Sequence, residues 1–262
     1  MGIFEGVLIA SDWDGTLFCN GTVPIKTREA IDRFMSLGGR FAISSGRSRD
    51  YLLENSHLIK PNTYCICYGG SLICDIESGS ILREGFLDGE AFEVIDKILA
   101  FNVNITKMNV FRSDGLKQYT PKEYLSSGMI ESMSANVYKV AFSCSDSDEG
   151  DKLKALCDSL DHPSYTLARS FSSYIELMRT EYTKGVSARI LKEKLNARLL
   201  VGMGDYENDI PLFEKCDISF AVAGAVDSLK RIATYTTRAT VEESAAAEVI
   251  ESLEWLIIAK DI

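Results

Sequence analysis

Short apolar runs alternating with amphipathic stretches organise both ends of this chain. Residues 6–11 (GVLIAS) suit a buried strand, and 26–39 (KTREAIDRFMSLGG) place apolar residues at helical spacing before two glycines that suit a helix C-cap. A second strand is expected over 40–46 (RFAISSG), a helix from Ser48, and a third strand over 63–70 (TYCICYGG). Strands apolar on both faces, alternating with helices, imply a parallel sheet covered on both sides. Between Leu82 and Thr183 the rhythm changes: helix 89–101, strand 103–110, a short helix near 121–127, strand 137–144, helix 148–160, and strands 164–169 and 173–179. Adjacent strands without strict alternation predict an α+β unit, an antiparallel sheet with helices on one face. From Lys184 the first rhythm returns, with helix 184–195, strand 197–205, a helix near 207–214, strand 217–224, a helix near 225–232, a short strand over 233–237 and a final helix over 242–259. The expected fold class is α/β: a doubly wound parallel-sheet (Rossmann-like) core made of 1–81 and 184–262, with an α+β domain over 82–183 inserted.

Composition narrows the function. The 262 residues carry 28 Lys+Arg against 38 Asp+Glu, a formal charge of −10, which argues against a broad nucleic-acid or anionic-membrane surface. A local basic pocket stays compatible with that balance. No run approaches the roughly 18 apolar residues of a membrane span, and the start MGIFEGVLIASDWD has no basic region ahead of an apolar one. The seven cysteines are scattered, and Cys65 and Cys67 alternate within an apolar run; reduced structural thiols in a cytoplasmic protein are the expectation. Only His57 and His162 are histidine, which leaves little room for a His-rich zinc site.

Chemistry concentrates where apolar strands end. In SDWDGTLF (11–18), Asp12 and Asp14 stand two apart, so both leave the strand on one side. Ligands of doubly wound sheets bind outside the carboxyl ends of the strands, and paired aspartates suit a hard cation such as Mg2+ shared with a phosphate. GMGDYENDIPLF (202–213) adds Asp205, Asn208 and Asp209 after another apolar strand. Helix capping by Asp205, with the dipole favouring Glu207 and Asp209, accounts for one or two of these acids. It does not account for two acidic clusters that both follow buried strands. Ser45 offers a hydroxyl beside Gly46, and Lys184 opens a helix, where a cation is disfavoured unless a ligand or partner needs it.

The order D-W-D-G-T, S-S-G-R, K-G, G-D-Y-E-N-D resembles the four motifs of haloacid dehalogenase-like (HAD) phosphohydrolases, and an insertion between the second and third motifs resembles the cap of the Cof-type sugar-phosphate phosphatases. The resemblance covers essentially the whole chain. It implies that Asp12 is the nucleophile forming an aspartyl-phosphate and that Asp14 is the acid/base. It implies a Mg2+ cofactor held by the Asp12 carboxylate, the Asp14 carbonyl and Asp205. Ser45, Gly46, Lys184 and Asn208 would bind phosphate, Asp209 would orient a metal water or Lys184, and the cap would close over the site and shape specificity. The implied partner is a small phosphorylated metabolite, with no nucleic acid and no membrane, and the chain is expected to be a monomer or weak homodimer. The second motif more often carries Thr than Ser45, which keeps the hydroxyl. Where relatives often read Asn-Gly-Ala, this chain has Tyr68-Gly69-Gly70, a change expected to bear on substrate fit.

Other positions are more ambiguous. Arg47 is open to two readings, a phosphate contact or a partner for an acid. His57 and His162 have no acidic or hydroxyl partner nearby in sequence and are expected in surface or loop roles rather than in catalysis. Arg112, Lys117, Lys139 and Arg169 would either greet an anionic substrate or form a solvated face, and 146–151 is expected to cap a helix. Two alternatives remain at this level: a phosphosugar mutase, and a binding or regulatory protein without turnover.

Overall fold

A computed structural model describes residues 2–126 and 136–260. The chain divides into two compact units, Met1–Leu82 with Lys184–Ile262, and Arg83–Thr183.

The first unit begins with β1 (Val7–Ser11), α1 (Ile25–Ser36), β2 (Arg40–Ile43), α2 (Arg49–Glu54), β3 (Cys65–Cys67) and β4 (Leu72–Cys74), and the chain crosses into the second unit within β5 (Ile81–Glu84). The expected third strand ends at Cys67, because the chain enters a 3-10 turn over Tyr68–Gly70 in which all three residues have positive φ. Strands β4 and β5 had no separate expectation; with β3 they form a three-stranded sheet in which Cys65 faces Cys74.

The second unit contains α3 (Gly89–Leu99), β6 (Ile105–Arg112), β7 (Gly115–Tyr119), α4 (Pro121–Ser126), β8 (Val137–Cys144), α5 (Ser147–Ser159), β9 (Tyr165–Phe171) and β10 (Tyr174–Arg179). The antiparallel sheet runs β7-β6-β8-β10-β9. Alternate residues such as Val110, Val140, Phe142, Ile175 and Leu177 are buried with Phe92, Ile95 and Ile98 of α3 and Leu153 and Leu156 of α5, so both helices cover one face. Asp146 caps α5 by accepting the Glu149 N–H, as expected of that acidic stretch. The edge strand β7 was not expected, since four of its five residues are exposed and no apolar alternation marks it. Residue 127, the expected end of the short helix α4, lies outside the described residues.

The chain returns to the first unit through α6 (Lys184–Lys194), β11 (Leu199–Gly204), α7 (Ile210–Lys215), β12 (Ile218–Ala221), α8 (Asp227–Lys230), β13 (Tyr235–Thr236) and α9 (Ala245–Lys260). The main sheet is parallel, in the order β13-β12-β11-β1-β2. From β1 the chain builds outward to β2 on one side, and from β11 to β12 and β13 on the other. The strand order therefore reverses between β1 and β11, and their carboxyl ends border the switch point where open α/β sheets bind ligands. The seven cysteines are free thiols. Among the described residues no helix is long and apolar enough to cross a membrane.

Candidate active site

The parallel register sets Ser11 against Met203, so β1 and β11 run out together, and the Asp12 N–H still donates to the Met203 carbonyl at 2.9 Å. Asp12 then leaves the sheet beside the loop that carries Asp205. A tight turn follows: the N–H groups of Leu17 and Phe18 both bond the Trp13 carbonyl, and the buried Trp13 ring stacks on Phe18 at 5.3 Å. Glycine is required at 15, where φ is +79° and a Cβ would lie 2.4 Å from Asp205 Oδ2. Thr16 completes the turn by donating its hydroxyl to Asp205 Oδ1 at 3.1 Å. This link was not expected from sequence, although the D-G-T order after a strand is the signal that exposes it.

After β11, Asp205 does not act as the helix cap that its position suggested. Asp209 does this work: its Oδ2 accepts the N–H groups of Asp205 and Tyr206 at 3.0 and 3.3 Å, closing a capping box on the 3-10 turn Glu207–Asp209. The fold makes room for it at Gly204, where a Cβ would sit 2.5 Å from the Asp209 carboxyl carbon. Asn208 lies half-buried on the same turn.

Lys184, at the start of α6, joins the two acidic loops. Its Nζ lies 2.5 Å from Asp12 Oδ1 and 2.6 Å from Asp209 Oδ1, with its side chain 1% exposed. Burial opposes charge on the ammonium, but Asp12 and Asp209 outweigh it and hold Lys184 charged well above its ordinary range. Burial likewise pushes the Asp12 carboxyl well up, against the pull of Lys184 and with a further push from Asp209 and Asp205. Asp205 rises to about 7, through burial first and Asp209 second. Burial is the first cause of the rise in Asp12 and Asp205, and neighbouring carboxylates add to it; with three carboxyl groups around one ammonium, the cluster is short of positive charge.

A divalent cation fits that deficit. Asp12, Asp205 and Asp209 each present a carboxylate oxygen, all within 4.8 Å of one another, and such a set of hard oxygen donors suits Mg2+. Both Asp209 oxygens are already engaged, which leaves Asp12 and Asp205 as the natural donors. The carboxylate of Asp14 stands outside this cluster. Arg47 grips it bidentately, Nε to Oδ2 at 2.8 Å and Nη2 to Oδ1 at 2.9 Å, and lies over the Tyr51 ring at 4.5 Å. Of the two readings open for Arg47, the structure displays the acid partner.

Ser45 follows β2 and is 1% exposed; its Oγ accepts the Arg47 N–H at 3.1 Å. Gly46 lies between them at the crest of this loop. The ring nitrogens of His57 and His162 bond backbone carbonyls. Arg112 and Arg169 pair with Asp114 and Asp151, and Lys139 is buried against Glu176.

The order of these groups along a doubly wound sheet matches a known pattern, and a family model for haloacid dehalogenase-like hydrolases covers residues 9–250. The chain belongs to this family. The HAD-like hydrolase is 24% identical to the 5-amino-6-(5-phospho-D-ribitylamino)uracil phosphatase of Bacillus subtilis, over 92% of this chain and 94% of that protein. Its fold matches a haloacid dehalogenase-like hydrolase from B. subtilis with a TM-score of 0.77 at 20% identity, covering 94% of this chain and 99% of that one. It also matches a HAD subclass IIB sugar phosphatase with a TM-score of 0.74 at 16% identity, covering 94% and 98%.

Proposed function

We propose that this HAD-like hydrolase is a Mg2+-dependent phosphatase that removes phosphate from small phosphorylated metabolites, sugar phosphates foremost, through an aspartyl-phosphate. The observation that carries the reading is the convergence of Asp12, Asp205, Asp209 and Lys184 at the switch point of the sheet. The phosphatase and sugar-phosphatase relatives support the substrate class.

In this reading an Asp12 carboxylate oxygen attacks phosphorus, and the bond to the leaving oxygen breaks. Lys184 neutralises charge as the anionic nucleophile meets an anionic substrate, and Asp209 keeps the ammonium pointed at Asp12. Ser45 and the loop through Gly46 bind phosphoryl oxygens, and Asn208 completes the phosphate contacts. Asp14 protonates the leaving alkoxide and then takes a proton from the water that hydrolyses the aspartyl-phosphate. For that exchange Arg47 must loosen its grip on Asp14, and an incoming phosphoryl group competes for the same guanidinium. When bound by Asp12, the Asp14 carbonyl and Asp205, Mg2+ supplies Lewis-acid neutralisation of phosphoryl charge. The inserted unit expected over 82–183 is assigned the discrimination among organic portions of the substrate, on its resemblance to Cof-type insertions.

The test is phosphate release from a panel of sugar and polyol phosphates with and without Mg2+. Turnover that needs Mg2+ and favours one group of sugar phosphates is expected. A panel without turnover, or turnover indifferent to EDTA, overturns the reading.

A further inference from the structure

Lys184 and Ser187 stand three apart at the start of α6 and so share one face of the helix. Lys184 reaches the loops after β1 and β11, while Ser187 reaches a third. Its hydroxyl is buried and donates to the Gly70 carbonyl at 2.7 Å. A serine inside a helix usually faces solvent or returns its hydroxyl to the carbonyl four residues back; this one leaves its helix for a residue 117 positions away. Gly185, two residues earlier and so on the opposite flank of the helix, is pressed against α7, where a Cβ would stand 1.8 Å from the Pro211 carbonyl oxygen. The first turn of α6 is thus held from two sides.

Gly70 closes the 3-10 turn after β3, and the same stretch of chain holds the loop that carries Ser45. The Ser45 N–H donates to the Ile66 carbonyl of β3 at 2.8 Å, and the Ser45 carbonyl accepts the Gly69 N–H at 2.9 Å. The Arg47 carbonyl accepts the Tyr68 N–H at 2.9 Å. These backbone bonds fix 45–47 to 66–69 whatever the side chains there. The bond from that stretch to α6 is different, because it needs a hydroxyl at 187. Alanine at this position would leave the buried Gly70 carbonyl without that donor. Through Ser187, the helix that presents Lys184 is therefore tied to the loop that presents Ser45.

We propose that Ser187 is a positioning residue: its bond to Gly70 holds the start of α6 at a fixed offset from the 45–47 loop, so that Lys184 and Ser45 meet one phosphoryl group already aligned. Ser187 touches no reacting atom; it acts through Lys184 on one side and Ser45 on the other. Alignment has large leverage, since a displacement of about 1 Å can cost about 10²-fold in rate. The proposal rests on the phosphatase reading above. Ser187→Ala removes the donor, and Ser187→Cys keeps a side chain of similar shape with a weak one. Ser219→Ala is the control: Ser219 is buried in β12, its Oγ accepts the Thr234 N–H at 2.9 Å, and it belongs to no loop of the site. Each variant is assayed on p-nitrophenyl phosphate with Mg2+, for inhibition by orthovanadate, and for thermal midpoint.

Ser187→Ala is expected to lower kcat/KM and raise the vanadate inhibition constant, each by about fivefold or more, the scale of one hydrogen bond. Ser187→Cys is expected to raise the same constant by about twofold or more. Ser219→Ala is expected to lower the midpoint while its vanadate constant stays within about twofold of wild type. A folded Ser187→Ala whose kcat/KM and vanadate inhibition match wild type overturns the role, whatever its midpoint, because a bond that matters for packing alone moves only the melt. Ser219→Ala that weakens vanadate inhibition as much as Ser187→Ala overturns it too, since any lost buried bond would then do the same. Should Ser187→Ala fail to fold, Ser187→Cys decides, and unchanged vanadate inhibition in that variant overturns the role. Wild-type protein that neither hydrolyses p-nitrophenyl phosphate nor responds to vanadate overturns the phosphatase reading itself, a result distinct from these.

Discussion

Lys139 and Lys184 are both about 1% exposed, and each lies within 2.7 Å of a carboxylate, yet they do different things. Lys139 lies in β8 of the inserted unit, its Nζ 2.7 Å from Glu176 Oε1 on the neighbouring strand β10 and 4.7 Å from the centre of the Phe111 ring. One cation meets one anion inside a hydrogen-bonded sheet, and the sum is zero. Lys184 stands where strands end and serves Asp12 and Asp209 with Asp205 close by, so the cluster sets three carboxyl groups against one ammonium, a formal −2 when all are ionised. Burying a charge is expensive in both places. Only the second place leaves the charge unbalanced, and an imbalance of that kind calls for a cation or for a chemical step that consumes the charge. Burial of an ion pair is thus weak evidence of function. Excess charge of one sign at a sheet's switch point is much stronger.

The sharpest way to break the comparison is at the atom proposed to react. Asp12→Asn should lower phosphate release by roughly 10³-fold or more, as removing a nucleophile does elsewhere. The measurement is steady-state phosphate release with a circular dichroism check that the fold survives. Activity within tenfold of wild type would remove Asp12 from the mechanism.

Next come the lysines, replaced by a residue of similar length. Lys184→Met should cut kcat by roughly 10²-fold or more, since a preorganised charge at the reacting centre is lost. Lys139→Met should leave kcat within about twofold while lowering the thermal midpoint, because an unpaired buried Glu176 costs about 3–5 kcal/mol. The two variants are compared in one assay and one melt. Equal losses of kcat would show that both lysines belong to the chemistry.

A smaller effect follows from Asp205. Its carboxyl is pushed up to about 7 in the folded protein, against about 3.9 for an unfolded aspartate. Between these values the folded state holds a proton that the unfolded chain has released. The group therefore favours folding at low pH, and that contribution drains away as pH rises through 7. In EDTA, the midpoint of wild type relative to Asp205→Asn should fall between pH 5 and 8, and saturating Mg2+ should remove the fall. A wild-type-minus-variant difference that stays flat with pH in EDTA contradicts the charge imbalance.

The layered βα plan was legible because buried parallel strands are apolar on both faces, as Val7–Ser11 and Leu199–Gly204 are. Strand β7 was not, since Gly115, Leu116, Lys117 and Gln118 are exposed and pair along one edge only. Strands β4 and β5, three and four residues long, carry too few positions for a period to show. At the site, residue types and their order pointed to Asp12, Asp205 and Lys184. The sequence could not reveal that Asp209 rather than Asp205 caps the 3-10 turn, nor that Arg47 faces Asp14. Both depend on side-chain direction across loops 33 residues apart in one case and 4 in the other, and a linear pattern does not encode direction.

The smallest effect sharpens the comparison from the other side. Glu176 Oε2 is buried without a hydrogen-bond partner among the described residues, so the Lys139–Glu176 pair does not recover all of its desolvation cost. Replacing both with apolar residues of similar size, Lys139→Met with Glu176→Leu, should leave the thermal midpoint near wild type or raise it, because isosteric apolar pairs often match or exceed a buried ion pair. Each single variant should be clearly less stable than the double, so a double-mutant cycle on the melts should give a coupling larger than the cost of Lys139→Met alone, about 3–5 kcal/mol. The same treatment of the site cluster has no neutral solution, since no apolar set can replace three carboxylates and still hold a cation. A double variant less stable than both singles would mean that the pair is fixed by something other than mutual charge, and the contrast with Lys184 would lose its basis.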